Sequence, residues 1–372
     1  MEKKELFYRL ALSTIPGIGP VYAKKLLDHF GDAASIFSAT PGALKEIAGI
    51  GTVRADAISQ FHQFPLVEKE MSFVEKYGIR CIFFTDKDYP QRLLGFKEAP
   101  VLLYYKGNAD LNSRRIVSVI GTRKPTEYGK MMAEQLVKEL AACSPLVISG
   151  LAYGIDAVAH AAALKHSLPT IGILGHGLDQ IYPPQHKGLA REMVKHGGLL
   201  THFNTGAEPA AHNFPIRNQI VAGMSDALVV VETDLYGGSM LTVGDALAYK
   251  KRLFAFPGRV TDKKSSGCNK LIQEGSARLL INGSQLSAEM GWSALQKPDK
   301  TAFEKSAADA QKSLSDNERT LLRLLEEKEK ASVDQLSAQT QLTSTAIAMA
   351  LLNLELMGHV LSLPGKMYRL AV

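Results

Sequence analysis

Five stretches of this chain place glycine, hydroxyl and basic residues where an apolar run gives way to a helix, and those are residue types that hold an anion. The first is Gly121-Thr122-Arg123-Lys124, directly after Ile116-Val117-Ser118-Val119-Ile120. The β-branched run has the character of a buried parallel strand, and Pro125 and Thr126 open a helix. At such a junction backbone N–H groups point outward and the helix dipole favours negative charge. The second stretch is Ser149-Gly150, with Gly154 before Ile155-Asp156. Its glycines let backbone approach a ligand closely, and Asp156 is placed to cap the helix or to orient Arg123. The third is Gly175-His176-Gly177, leading to Tyr182-Pro183. In the fourth, Phe214 and Pro215 precede Arg217-Asn218 at an expected helix start, an anion-friendly position with an aromatic beside it. The fifth sets Gly237-Gly238-Ser239 and Thr242 at another helix N-terminus.

Holding is all that these groups do by themselves. General acid–base work needs a histidine or carboxylate pair, and nucleophilic catalysis needs an activated serine or cysteine with its base. His160, His176, His186, His202 and His212 stand in no recognisable arrangement with a nucleophile. The chain has no G-x-x-x-x-G-K-[ST], H-E-x-x-H or G-x-S-x-G, and Gly175-His176-Gly177 does not extend to a dinucleotide fingerprint. The expectation is a binding protein rather than an enzyme, with no cofactor. Cys81, Cys143 and Cys268 are widely separated, which supports neither a disulfide framework nor a zinc site. A net charge of +6 and a pI near 9.0 fit a polyanionic partner without requiring one. No apolar run reaches the ~18 residues of a membrane span, and no signal-peptide pattern opens the chain. A cytoplasmic location is expected.

The elements that must position these groups form an α/β rhythm. Strands are expected at Ile116–Ile120, Leu146–Ser149, Thr170–Leu174, Leu199–His202, Ala227–Val231 and Leu253–Phe256. Amphipathic helices between them are expected at Lys130–Cys143, Ile155–His166, His186–His196, Arg217–Met224 and Leu241–Lys250. That alternation implies a parallel sheet covered on both faces, with ligands at the carboxyl ends of its strands. Two further strands, Ile79–Phe84 and Val101–Tyr105, precede it. Residues 1–65 repeat an apolar-x-Gly-Ile-Gly pattern around Gly17/Gly19 and Gly49/Gly51, and resemble a tandem helix–hairpin–helix domain. Lys24, Lys25 and Arg54 follow the turns. Two uses stay open: phosphate contact through the turn amides, or packing alone. The main α/β domain is expected over 66–292, a polar linker over 293–313, and a winged-helix domain over 314–372. The helix opening the last pattern's would-be recognition segment, Ser344–Met357, carries no Lys or Arg, so it reads as core plus a protein-facing surface rather than a duplex reader.

In the order of its motifs the chain resembles the DNA-processing protein A family, also called Smf. The family's Gly-Ser-Arg stands here as Gly121-Thr122-Arg123. Its Ser-Gly-x-Ala-x-Gly-Ile-Asp is matched by Ser149 to Asp156, with His160 following. Its Gly-x-Gly-x-Asp-x-x-Tyr-Pro is matched by Gly175, Gly177, Asp179, Tyr182 and Pro183, and its Phe-Pro-x-Arg-Asn by Phe214 to Asn218. Pro257-Gly258 and the run Gly267 to Gly275 complete the likeness. The resemblance implies an extended Rossmann-like domain that dimerises, binds single-stranded DNA, protects incoming DNA in natural transformation and loads RecA recombinase onto it, without enzymatic activity. Thr122 replaces the usual serine but keeps the hydroxyl, and Gly237-Gly238-Ser239 stands where Ser-Gly-Ser is common. Thr201-His202 stands where a Ser-Glu pair is usual. Pro184 replaces a common basic residue, for which Lys187 is the substitute. On this reading Arg123, Arg217 and Lys187, with the N–H groups of Gly121, Gly150 and Gly238, grip successive phosphates, and Phe214 stacks on a base. The alternative is a nucleotide-handling enzyme of phosphoribohydrolase type. Its Pro-Gly-Gly-x-Gly-Thr signature is poorly matched by the stretch Tyr236 to Asp245.

Overall fold

Strict alternation within the central strands decides where the sheet lies. In β3 (Ile116–Ile120), Ile116 and Ile120 join one apolar cluster, while Val117 and Val119 join the cluster on the opposite face. Ser118 shares the first face and donates its hydroxyl to Val221 O at 2.9 Å, so its burial leaves no donor unpaired. A strand buried on both faces is a parallel-sheet strand. The computed structural model describes residues 3–97, 99–292, 315–328, 330–340, 342–356, 359–363 and 367–370; the expected linker 293–313 lies outside them. The chain divides into two compact units, Met1–Leu295 and Gln296–Val372.

In the first unit, six helices come first: α1 (Lys3–Thr14), α2 (Pro20–Phe30), α3 (Ala33–Ser38), α4 (Pro41–Lys45), α5 (Thr52–Ser59) and α6 (Phe64–Tyr77). They form the helix–hairpin–helix domain. The antiparallel strands β1 (Arg80–Phe83) and β2 (Leu102–Gly107) follow. Next, β3 leads into α7 (Glu127–Leu140), β4 (Leu146–Ser149), α8 (Ile155–Lys165), β5 (Thr170–Ile173), α9 (Lys187–Lys195) and β6 (Gly197–Thr201). Helix α10 (Asn213–Met224) carries the chain back across the sheet to β7 (Ala227–Val230). The unit then runs through α11 (Ser239–Ala248), β8 (Arg252–Ala255), α12 (Ser266–Gln273), β9 (Arg278–Leu279) and α13 (Gly283–Glu289).

The sheet is nine-stranded in the order β1-β2-β6-β5-β4-β3-β7-β8-β9, and β6 through β9 are parallel. The order in which strands are added therefore reverses at β3, which pairs with β4 on one side and β7 on the other. Helices α7 and α8 cover one face, and α10 and α11 the other. The N-terminal helices share a continuous apolar cluster with that second face: Leu10, Leu26 and Ile58 belong to the same cluster as Phe83, Leu103 and Ile148. Arg9 fastens α1 to the loop after β1, with Nη1 2.9 Å from Asp86 and its guanidinium 4.6 Å from the Phe83 ring centroid.

The second unit holds α14 (Asp316–Lys328), β10 (Ala331–Ser332), α15 (Val333–Gln339), α16 (Ser344–Leu356), β11 (Val360–Leu363) and β12 (Met367–Leu370). Ser332 and Gln335 form a reciprocal capping box that starts α15. A three-stranded sheet in the order β10-β12-β11 closes a core of Leu321, Leu325, Leu336, Ile347, Leu351 and Val360. Three helices and a wing of this kind make a winged-helix domain.

Candidate functional site

The carboxyl ends of β3, β4 and β5 converge on a small pocket under the first turns of α10. Arg123, Gly150, Tyr153, His176, Tyr182, Phe214 and Arg217 are among the residues that line it. Two glycines make the convergence possible. A Cβ on Gly150 would lie 1.8 Å from Arg217 Nη1, so only glycine lets the guanidinium pass beneath this loop. Gly154 adopts φ +81°, where side chains are strained, and a Cβ there would meet Thr122 O at 2.2 Å. The loop after β4 thereby presses on the loop after β3, and Ile155 N–H donates to Thr122 O at 3.2 Å.

The two arginines play different parts. Helix α10 starts at Asn213, four residues before the expected start, because Pro215 falls in its first turn, where no N–H is needed. Arg217 is therefore one turn inside the helix rather than at its N-terminus, and it is 5% exposed. Its Nη1 donates to Gly150 O and, at 2.8 Å, to Ile173 O; its Nε donates to Asn218 Oδ1 at 2.9 Å. The guanidinium thus ties the ends of β4 and β5 to α10, which corrects the picture of a free phosphate grip. Burial lowers its pKa, and the charge of Asp156 opposes that shift. Arg123, in contrast, is exposed and makes no hydrogen bond or ion pair among the described residues. Its guanidinium lies 5.4 Å from the Phe214 ring centroid, with Arg217 5.7 Å from the same centroid.

Asp156 neither caps α8 nor orients Arg123. Its Oδ2 accepts the N–H groups of Gly150 (3.0 Å) and Ala152 (3.3 Å), so it braces the loop that forms the pocket wall, and the nearby cation is Arg217. Burial raises its pKa, against the pull of Arg217 and of the two N–H donors. Ser149 is likewise buried and donates to Val119 O at 2.7 Å. Gly121 ends β3 under Ile155 and Glu232, and Thr122 N–H donates to Glu232 O at 2.7 Å. Lys187, the first residue of α9, is exposed and outside the pocket lining.

Gly238, Ser239 and Thr242 stand apart from the pocket, at the exit of β7. Gly238 is exposed. Ser239 and Thr242 are buried, and Ser239 donates to the Thr233 hydroxyl at 2.8 Å. Among the described residues no cluster of His, Cys, Asp and Glu is arranged to hold a metal ion.

Six lining residues were not among the site residues expected from the sequence: Ala152, Tyr153, Gly175, His176, Tyr182 and Pro183. Tyr182 and Tyr153 are 41% and 40% exposed at the pocket mouth, and Tyr153 donates its hydroxyl to Gln185 Oε1 at 2.6 Å. His176 is buried and keeps the loop after β5 in shape. Its Nδ1 donates to Gly177 O at 2.8 Å, which leaves Nε2 to accept Tyr182 N–H at 3.2 Å. Burial lowers its pKa, so the neutral ring that this pattern needs is the stable one. The available signal was that both tyrosines sit in glycine-rich strand exits.

Residues 80–291 match the family described as DNA recombination-mediator protein A, residues 305–366 match the DprA winged helix domain, and residues 9–60 match the SAM-like helix-hairpin-helix tandem. A Smf protein of Synechocystis is 31% identical over 99% of this chain and 100% of its own length. The chain belongs to the DNA-processing protein A family.

Two solved members share its fold. The structure of DNA processing protein A from Streptococcus pneumoniae superposes with a TM-score of 0.66 at 30% identity, covering 77% of this chain and 98% of that one. The Helicobacter pylori DNA processing protein A, whose structure is described for its single-stranded DNA binding mode, superposes at 0.52 with 30% identity, covering 57% of this chain and 95% of that one. The motifs that carry family membership are the ones that build the pocket: Gly121 to Arg123, Ser149 to Asp156, Gly175 to Pro183 and Phe214 to Asn218.

Proposed function

We propose that this protein binds single-stranded DNA without regard to sequence at the pocket around Arg123 and Phe214. The observation that carries the reading is the unpaired, exposed Arg123 guanidinium beside a partly exposed Phe214 ring, over a floor of buried Arg217. A free cation takes a phosphate oxygen and an aromatic face takes a base, and neither depends on which base it is. The binding mode named for the Helicobacter pylori relative supports the choice of an unpaired strand. Membership of the family supports the wider role: the protein shields incoming DNA during natural transformation, loads RecA recombinase onto it, acts in the cytoplasm as a homodimer, and releases the DNA chemically unchanged. Lys187, and the amides of Gly121 and Gly238, extend the contacts along the backbone.

Arg123→Glu is the test. Because Arg123 makes no hydrogen bond or ion pair among the described residues, the variant retains a Tm close to wild type. Its affinity for oligo-dT falls at least about tenfold, the loss of a charged hydrogen bond worth ~1.5–3 kcal/mol. Salt dependence becomes shallower by about 0.7 in the slope of log K against log salt. Undiminished binding by a folded variant sinks the assignment.

A further inference from the structure

A second cationic surface lies on the other side of Arg123, where the strand order turns at β3. The loops leaving β3, β7 and β8 meet there. Lys264 Nζ donates to Lys124 O, the Tyr128 hydroxyl donates to Pro257 O at 2.6 Å, and Gly267 N–H donates to Thr233 O at 3.0 Å. Asn269 clamps the loop after β8 from both sides, accepting Gly258 N–H and donating to Gly258 O, each at 3.0 Å. These bonds set Lys124, Arg259, Lys263 and Lys264 on one rim with Arg123. Lys124, Arg259 and Lys263 are exposed and make no side-chain hydrogen bond or ion pair among the described residues.

The carboxylates of these loops do not cancel that charge. Glu232 is buried and accepts Thr126 N–H at 2.8 Å and the Thr126 hydroxyl at 2.6 Å. Asp234 accepts Tyr236 N–H at 3.1 Å, and Glu127 pairs with Lys130. Only Asp262 stands exposed and uncommitted. On the same loops, Tyr236 is 96% exposed and Val260 is 94% exposed. No described residue covers the Tyr236 ring. An uncovered aromatic on loops that carry free cations is the combination that binds unpaired nucleic acid, through stacking and phosphate contact. In a sheet of this topology the crevice beside the reversal point is also where ligands collect.

We infer that the bound single strand leaves the pocket past Arg123 and continues along this rim, with Lys124, Arg259 and Lys263 on its phosphates and Tyr236 stacked on a base. The inference rests on the proposed pocket and adds a second contact region to it. It predicts that affinity depends on strand length: a short strand fills the pocket alone, and a longer one reaches the rim.

The test compares fluorescently labelled oligo-dT of about six and about twenty-five nucleotides. The proteins are the full chain, its Lys124→Ala/Arg259→Ala/Lys263→Ala variant, its Tyr236→Ala variant and Arg123→Glu. The triple variant is expected to lose at least about tenfold in affinity for the longer strand, with a salt slope shallower by about 2. Tyr236→Ala is expected to lose about tenfold on the same strand. Both keep wild-type affinity for the short strand and the wild-type Tm. Unchanged binding of the longer strand by both variants overturns the rim, and so does an equal loss on both lengths. Failure of the pocket itself reads differently, as short-strand binding that survives Arg123→Glu.

Discussion

At the scale of single residues, the site separates groups that build it from groups left free to bind. Arg217 is buried, with Nη1 bonded to Gly150 O and Ile173 O and Nε to Asn218. Removing it leaves Asp156 buried without its cation. Arg217→Ala is therefore expected to cost about 3–5 kcal/mol of stability, visible as a shifted denaturant midpoint. Loss of DNA binding in that variant would report unfolding, which is why Arg123 is the informative position. His160 contributes to acid sensitivity. Its Nδ1 lies 2.6 Å from the Thr170 hydroxyl, Nε2 has no partner, and burial pushes its pKa down to about 3. A folded-state value below the ordinary 6.5 of a free imidazole means that its contribution is complete above about pH 6.5 and is lost as pH falls toward 3. His202, held near 4 by burial, acts in the same direction. Glu70 acts in the opposite one: burial raises its pKa above 4.5, so its contribution is present below that value and fades as pH rises through the elevated one. Unfolding free energy measured between pH 6.5 and 4.5 should fall, and His160→Gln should make the slope shallower by about 1.4 kcal/mol per pH unit. An unchanged slope would place the titration elsewhere.

At the scale of elements, the hairpins show how cations can be consumed by packing. Gly17 (φ +78°) and Gly49 (φ +93°) turn the two hairpins as their spacing implies. Arg54 then reaches across to donate to Gly17 O at 2.9 Å, and to Gly49 O at 3.2 Å, with its guanidinium 4.1 Å from the Tyr22 ring centroid. Lys25 answers from the first hairpin, donating to Ala48 O at 2.6 Å. The repeat is thus a reciprocal brace; of the three cations that follow the turns, Lys24 alone is exposed without a hydrogen bond or ion pair among the described residues. Arg54→Ala should destabilise the protein by about 1–2 kcal/mol, the loss of two hydrogen bonds and a cation–π contact, as read from its melting curve. At the other end of the unit, β6 starts at Gly197 rather than Leu199. Gly197 and Gly198 carry little strand propensity, yet they pair with Thr170 and Gly107 where a Cβ would collide with backbone.

For the first unit as a whole, the continuous apolar cluster has a consequence for dissection. Leu10, Leu12 and Ile58 lie in the cluster that includes Val67, Val74, Phe83 and Leu103. A chain lacking residues 1–65 should expose part of that cluster, and should melt at lower temperature and bind a hydrophobic dye. Reduced DNA binding by such a truncated chain would not by itself assign a DNA contact to the hairpins. If the truncated chain melts as the full one does, the shared cluster contributes nothing to stability.

The alternation of apolar residues, the glycine-bearing strand exits and the ordered motifs determined the parallel sheet, both flanking domains and the family from the sequence alone, because each is a local pattern with one compatible geometry. Strand β4, Leu146–Ser149, and helix α8, from Ile155, start where their periodicity begins. The tertiary structure decided which polar residues are available. Arg123 and Arg217 carry the same side chain, and each stands two residues after a glycine or a proline, Gly121 and Pro215. One became free and the other structural because α10 starts early enough to carry Arg217 under Gly150. Burial and competing backbone acceptors arise only when distant strands meet, and no local spacing encodes them.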